Sequence, residues 1–378
     1  LMNKNVLITA MSLAMLGGTS LANAEVTLYG QIDLSIDYFD DGNNNDDINM
    51  GSNRSSIGVK GAEDLGNGMS AFFKLEWQVD AEDADIEKSS FNEDETSGGF
   101  TGRDQYLGLK FERFGKLTFG TMSTSYKSSA SSLDPMYRTR IQARNTGIQS
   151  VLHKGKGDSG EGRATNAVRY DTPSWNGFGA TVNYSLDNDK DAGAVAAGKT
   201  KNDDNSWGGG VHYKGGNLYA FADYITNGQS GDSDAYQLGA KYNFLEAFAV
   251  WAMFEKDLGL ISTQTWGTGN NGDGADIYHL GGSWSRGNNT LAASYAYSDD
   301  SGARVSGTKV KSEYDAYQIS AQHKFSNRTK IYTGFSALDC DGGNAGISGA
   351  KFCTSDNDDM EKLFTRLVRR FVVLADHG

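Results

Sequence analysis

Proline is nearly absent: Pro135 and Pro173 are the only two in 378 residues. Proline cannot donate to a sheet ladder, so a chain this poor in it can run long uninterrupted strands. Cysteine is as scarce, with Cys340 and Cys353 alone, which excludes a disulfide-built scaffold and any cysteine-ligated zinc cluster. The five histidines (His153, His212, His279, His323, His377) include no H-x-x-x-H or H-E-x-x-H spacing. A metal-dependent hydrolase therefore has no motif to stand on, no cofactor is called for and no metal site is assigned. No apolar run is long enough for a membrane-spanning helix. The net charge of −13 argues against nucleic acid as a partner, since a polyanion would be repelled.

What the chain has is glycine, 48 residues of it, with 18 Tyr and 18 Phe, the composition of a turn-rich all-β protein. Residues 26–38, VTLYGQIDLSIDY, place Val26, Leu28, Gly30, Ile32, Leu34, Ile36 and Tyr38 on one parity, with Gln31, Asp33, Ser35 and Asp37 between them. Side chains alternate across a strand, so one face is oily and the other wet. The pattern recurs down the chain. Ala71, Phe73, Leu75 and Trp77 oppose Lys74, Glu76 and Gln78; Phe178, Ala180, Val182 and Tyr184 oppose Thr181, Asn183 and Ser185; Tyr236, Leu238, Ala240 and Tyr242 oppose Gln237, Lys241 and Asn243.

The longest apolar stretch, Val6 to Leu16, follows Lys4 and leads to Ala22-Asn23-Ala24, an A-x-A cleavage signature. Residues 1–24 are therefore expected to be a secretory signal peptide, cleaved after Ala24. Its only charge is Lys4, so removal takes the net charge to −14. Export permits a disulfide, and Cys340 and Cys353 are expected to pair across a glycine-rich loop, two free thiols being the alternative.

Connections come in two kinds. Tight links (Leu65–Gly68, Glu112–Phe114, Trp175–Gly177, Gly215-Gly216, Leu245-Glu246, Gly287-Asn288, Ser326-Asn327) alternate with long polar ones near 39–51, 81–101, 123–164, 187–205, 227–233, 257–275, 299–312 and 339–358. Short turns at one end and long loops at the other, with about sixteen strands between, predict a transmembrane antiparallel β-barrel. Periodicity alone leaves a β-sandwich open; the unequal connections, and Tyr and Phe concentrated at strand ends, favour the barrel.

Several stretches carry a family likeness: EVTLYGQIDLSIDY, SSIGVKGAEDLGNGMSAFFKLEWQVD, GRDQYLGLKFERFGKLTFGTM and AVRYDTPSWNGFGATVNYS. From Glu25 to about Lys362 the chain resembles the trimeric general-diffusion porins of Gram-negative bacteria. The resemblance implies sixteen strands, a homotrimer in the outer membrane, and a third external loop folded into the pore. Residues 123–164 take that place, and a structureless stretch of such length is itself usually functional. The implied partners are outer-membrane lipid, lipopolysaccharide, ions and small hydrophilic solutes.

In such a pore, charge on the wet face filters solutes without making or breaking a bond. Strand parity and family position nominate Arg54, Lys60, Lys74, Arg103, Lys110, Lys116 and Arg169 on the wall. Arg103 is out of phase with Lys110, so either a bulge re-aims it or it lies at the rim. On the inward loop the candidates are Asp134, Arg138, Arg140 and Arg144, within a segment more basic than acidic. The expectation is a passive diffusion channel with a mild preference for anions. The alternatives are a solute-specific channel and a surface receptor or structural barrel. An enzyme is not expected.

The barrel domain is read as 25–362. Residues 363–378, LFTRLVRRFVVLADHG, lack the alternation and place Arg366 and Arg370 on one parity and Arg369 on the other. They are expected to be an aberrant segment that compromises the last strand, by frameshift or as a basic amphipathic tail.

Overall fold

The computed structural model describes residues 24–40, 46–53, 55–81, 100–153, 156–157, 162–186, 206–226, 234–260, 274–300, 304–305, 308–309, 313–340 and 360–374. The alternating segments become strands: β1 (Ala24–Asp40), β2 (Asp46–Ser52), β3 (Ser56–Gly66), β4 (Met69–Gln78), β5 (Thr101–Phe111) and β6 (Gly115–Ser123). After a short helix α1 (Ser125–Ser131) come β7 (Lys156–Gly157), β8 (Arg163–Asp171), β9 (Phe178–Ser185), β10 (Trp207–Gly215), β11 (Leu218–Thr226), β12 (Asp234–Phe244) and β13 (Phe248–Leu258). The remainder are β14 (Ile277–Arg286), β15 (Asn289–Ser298), the small hairpin β16 (Arg304–Val305) and β17 (Thr308–Lys309), β18 (Tyr314–Lys324), β19 (Thr329–Cys340) and β20 (Met360–Leu374).

Sixteen strand positions make the wall, with β2 and β3 forming the second and interrupted between Ser52 and Ser56. Each wall strand pairs antiparallel with its sequence neighbours. β1 pairs with β3 over Ala24–Gln31 and with β20 over Thr27–Asp40, so the ladder returns to its first strand. Ring closure satisfies the backbone of every wall strand, the condition for a sheet to sit in lipid.

Exposure runs opposite to that of a soluble protein. Ile36 is 60% exposed while adjacent Asp37 is 5% exposed, and Ile32 and Asp33 repeat the contrast. Leu107, Val211, Leu280 and Ile319 are bared on the same outer surface. An apolar outside around a polar inside removes the sandwich reading and describes a lipid-facing barrel. The tight hairpins sit where expected. Between the paired Gly66 and Met69, Asn67 and Gly68 hold φ of +53° and +73°, the paired left-handed residues that match the twist of a two-residue hairpin.

The segment between β6 and β8 turns into the barrel. Thr124 caps α1, its hydroxyl accepting from the Lys127 N–H at 3.3 Å, and 3₁₀ turns follow at Ala143–Asn145 and Val151–His153. Its apolar side chains make the protein's core against one side of the wall. Ala130 and Leu133 pack on Phe221, Trp251 and Met253; Ala143 and Ile148 on Ile277, Tyr314 and Leu338; Tyr126 and Leu152 on Ile225 and Ala235.

β20 starts at Met360, and its backbone pairs with β19 as far as Thr329↔Arg369 and with β1 as far as Thr27↔Leu374. Arg366, Arg369 and Arg370 fall in register opposite Ser35, Ile32 and Gln31. Backbone pairing needs no alternation of side chains, and both neighbours are already in place. Residues 1–23 of the expected signal peptide, Arg54, Cys353 and residues 375–378 lie outside the described residues, and so does any Cys340–Cys353 bond.

Candidate functional site

Arg103 faces the lumen because β5 bulges. Between Leu75↔Gln105 and Trp77↔Gly102 the register slips, so Arg103 and Asp104 both oppose the single residue Glu76. Two residues facing one is the geometry that re-aims a side chain. The Arg103 Nε donates to Glu76 Oε1 at 2.6 Å and Arg103 is 5% exposed, so the bulge, not the rim, accounts for its parity.

Around this pair the wall builds a charge network. Lys74 Nζ lies 3.1 Å from both Glu76 and Asp104, Arg163 Nε donates to Asp104 at 2.9 Å, and the Tyr29 hydroxyl donates to Glu76 at 2.9 Å. A second group stands beside it on β6, β8 and β9. Arg169 bonds Asp171 at 2.5 Å and the Ser123 carbonyl at 2.9 Å, and Lys116 reaches Asp171 at 3.3 Å. Each group holds one more cation than carboxylate. Lys60 and Lys110 are exposed on the same inner parity nearer the short turns, with Lys60 over the Tyr29 ring at 5.7 Å.

The four loop candidates divide. Asp134 is buried, and its two oxygens accept the Met136 and Ala143 N–H groups at 2.9 and 2.8 Å, so it staples the loop to itself. Arg144 is buried too, donating to the His153 carbonyl with its guanidinium over Tyr137. Arg140 crosses to the wall at Asp37, Nε to Oδ2 3.3 Å. Gly51 makes room for it: a Cβ there would sit 2.6 Å from the Asp37 oxygen and 3.0 Å from the Arg140 Nε. Arg138 is half-buried, pairs with no carboxylate among the described residues, and lies close enough to Arg103 for the two charges to repel.

Wall side chains hold the loop at several points: Gln237 donates to the Tyr126 carbonyl, Tyr314 to that of Gly147 and Gln318 to that of Ile141, and one buried carboxylate gathers four contacts. Glu255 of β13 accepts from Tyr126 Oη at 3.0 Å, from the Ser150 hydroxyl and N–H at 2.8 and 3.0 Å, and sits 3.0 Å from His153 Nε2.

A barrel with an infolded loop facing a charged wall is the architecture of a porin, and a family model described as Gram-negative porin matches residues 9–343. The chain belongs to the Gram-negative porin family. An outer membrane porin protein of Bordetella pertussis is 34% identical over 274 residues, 64% of this chain and 66% of that protein, just under two thirds of its length. Outer membrane porin protein 32 of Delftia acidovorans is 28% identical over 264 residues, covering 66% of this chain and 70% of its own. Among solved structures, an anion-selective porin from Comamonas acidovorans superposes with a TM-score of 0.66 at 21% identity, over 92% of this chain and all of that one. Salmonella typhi OmpF in complex with daunomycin gives 0.64 at 13%, over 92% and 97%. This porin is thus an outer-membrane channel, and a porin makes and breaks no bond.

Of the porin's site, sequence parity does not single out Asp104 as a wall charge. Its signal was available: adjacent charges of opposite sign on neighbouring parities, as in Arg103-Asp104, cannot both face a lumen without a bulge. Sequence parity also misses β13, where Ala249, Trp251 and Met253 on the inner face alternate with Val250, Ala252 and Phe254 on the outer. A strand oily on both faces, within a wall of half-polar strands, marks where the loop docks. One further string, GAVAAGKT at 193–200, has the spacing of a phosphate-binding loop. It lies outside the described residues.

Proposed function

We propose that this porin is a passive, water-filled pore for ions and small hydrophilic solutes, assembled as a homotrimer among outer-membrane lipid and lipopolysaccharide, with a preference for anions. The observation that carries the preference is Arg138 on the loop, unpaired by any described carboxylate, set near a wall cluster of Lys74, Arg103 and Arg163 that exceeds Glu76 and Asp104 by one charge. Asp223 and Glu255 are engaged on the other side of the loop, by Gln237 and by Tyr126, Ser150 and His153. An excess of fixed positive charge in a water-filled constriction raises the local anion concentration. The trimer rests on the family likeness and on a solved Vibrio cholerae neighbour described as a trimer form. Arg103, Lys74 and Arg169 are the proposed wall charges and Arg138 the proposed loop charge; Lys60, Lys110 and Lys116 extend the basic track toward the short turns. Residues 1–24 are proposed as the export signal, and 363–378 as a segment that weakens the last strand.

Reversal potentials across planar bilayers in a potassium chloride gradient test the reading. A sign showing chloride to be the more permeant ion is expected. Clear cation preference would overturn it, and triplet conductance steps test the trimer.

A further inference from the structure

Toward the short-turn end of the barrel, a cavity of about 360 Å³ lies between loop residues Ser132–Met136 and the inner faces of β12 to β15 and β18. Lys241 of β12 lines it, in register opposite Trp251 of β13, with its ammonium 5.4 Å from the indole centroid. The indole is fixed from two sides. Its Nε1 donates to His279 Nε2 at 3.2 Å, and it lies flat over Gly281, where a Cβ would come within 2.4 Å of the ring. Only glycine leaves that space, so the ring face presented to Lys241 is set by the wall.

Among the described residues Lys241 has no carboxylate partner; its one hydrogen-bonding contact is the Ser132 carbonyl at 3.5 Å, at the limit of a bond. Two carboxylates line the cavity and neither is bound to it. Asp134 is engaged by two backbone N–H groups, and Glu246 sits exposed on the 245–247 turn. Ser283 and Ser320 line the same space, as do Ser285 and Thr290, whose hydroxyls bond each other at 3.0 Å and keep further donor or acceptor capacity. A half-buried ammonium held over an aromatic face, without a counter-ion and beside a set of hydroxyls, is complementary to an anion that itself bears hydroxyls. A volume of this size accommodates a small organic molecule.

We propose that this cavity is a second station for solute, below the constriction, that takes small hydroxylated carboxylates of the sugar-acid type. Lys241 receives the carboxylate, and the four hydroxyls exchange hydrogen bonds with the sugar chain. The inference rests on the pore reading above and adds a site to it.

Sodium gluconate, added to both chambers of a planar bilayer carrying chloride current, is the probe, with sorbitol as its uncharged counterpart. Gluconate is expected to reduce the current at concentrations where sorbitol does not. Lys241→Met should raise the half-blocking concentration about tenfold, the worth of one charge-assisted hydrogen bond, and Lys241→Arg should keep the block. Lys241→Gln provides the same comparison if the methionine variant yields no channels. Equal gluconate block in wild type and the uncharged variants, or equal block by sorbitol, overturns the station and leaves the pore reading intact. A wild-type chain that opens no channels overturns the pore reading itself.

Discussion

His153 Nε2 lies 3.0 Å from Glu255 Oε1, joining the last turn of the infolded loop to a strand 102 residues further along the chain. The same carboxylate also collects the Tyr126 and Ser150 hydroxyls and the Ser150 N–H, and it is fully buried. A buried carboxylate is stable only when its lone pairs are filled, and here the loop fills them. Glu255 is thus the wall residue that gathers the most loop contacts, beside single bonds from Gln237, Tyr314 and Gln318.

Glu255→Gln is therefore expected to loosen the loop without dissolving the barrel. The amide offers one acceptor oxygen where the carboxylate offers two, and its NH₂ meets donors. The cost is about 1–3 kcal/mol of anchoring. Single-channel records should show larger open-state noise and more frequent flicker than wild type. A quiet channel indistinguishable from wild type would mean that the apolar packing of Leu133, Ile148 and Leu152, with the bonds from Gln237, Tyr314 and Gln318, holds the loop without Glu255.

Arg138→Glu should reduce the anion preference. Two unit charges about 4 Å apart in water interact by roughly 1 kcal/mol, which corresponds to a change of about fivefold in permeability ratio. Reversal potentials measure it directly, with Arg113→Glu on the exposed 112–114 turn as the control for a charge change away from the constriction. An equal shift in both variants would assign selectivity to the overall field and not to the loop.

How far these residues could be read from sequence depends on what fixes each of them. The oily and wet faces of Val26–Tyr38 were legible because a period of two needs no knowledge of neighbours, and Asp33 and Asp37 are indeed inside. Arg103 was ambiguous because a bulge is a property of two strands in register, and a single strand does not display it. Arg138 and Arg144 look alike in sequence and differ in the fold. Both guanidinium groups reach the Tyr137 ring, but one is left near the wall charges and the other is buried and bonded to the His153 carbonyl, because loop side chains follow packing and not parity. Part of the docking face of β13 was written in the sequence as the stretch Ala249–Phe254, apolar on both sides, while the Glu255 anchor on the same face looks like any wall carboxylate.

Arg103→Ala should destabilise the barrel as well as alter its charge. It leaves Glu76 buried at 3% exposure with only Lys74 and Tyr29 to compensate, so the loss should fall at the low end of the range for a broken buried pair, about 3 kcal/mol. Urea unfolding in lipid vesicles measures it. The double variant Arg103→Met with Glu76→Leu should recover most of that loss, since removing both charges leaves none unpaired. Failure of the double variant to recover would assign the loss to packing of the Arg103 stem.

Deletion of residues 363–378 tests what the last strand contributes despite its irregular sequence. The full chain pairs β20 with β1 from Leu363↔Tyr38 to Leu374↔Thr27, and with β19 from Leu363↔Phe335 to Arg369↔Thr329. Truncation strips these partners from two strands that otherwise close the ring, and each backbone group left unsatisfied in hydrocarbon costs several kcal/mol. The truncated chain should therefore fail to give a folded, heat-modifiable band on gels under conditions where the full chain gives one, even if weakly. Equal folding of the two would mean that β1 and β19 can close upon each other and that the terminal segment is dispensable. Even an irregular strand suffices here, because an imperfect partner still satisfies the backbone that an absent one leaves bare.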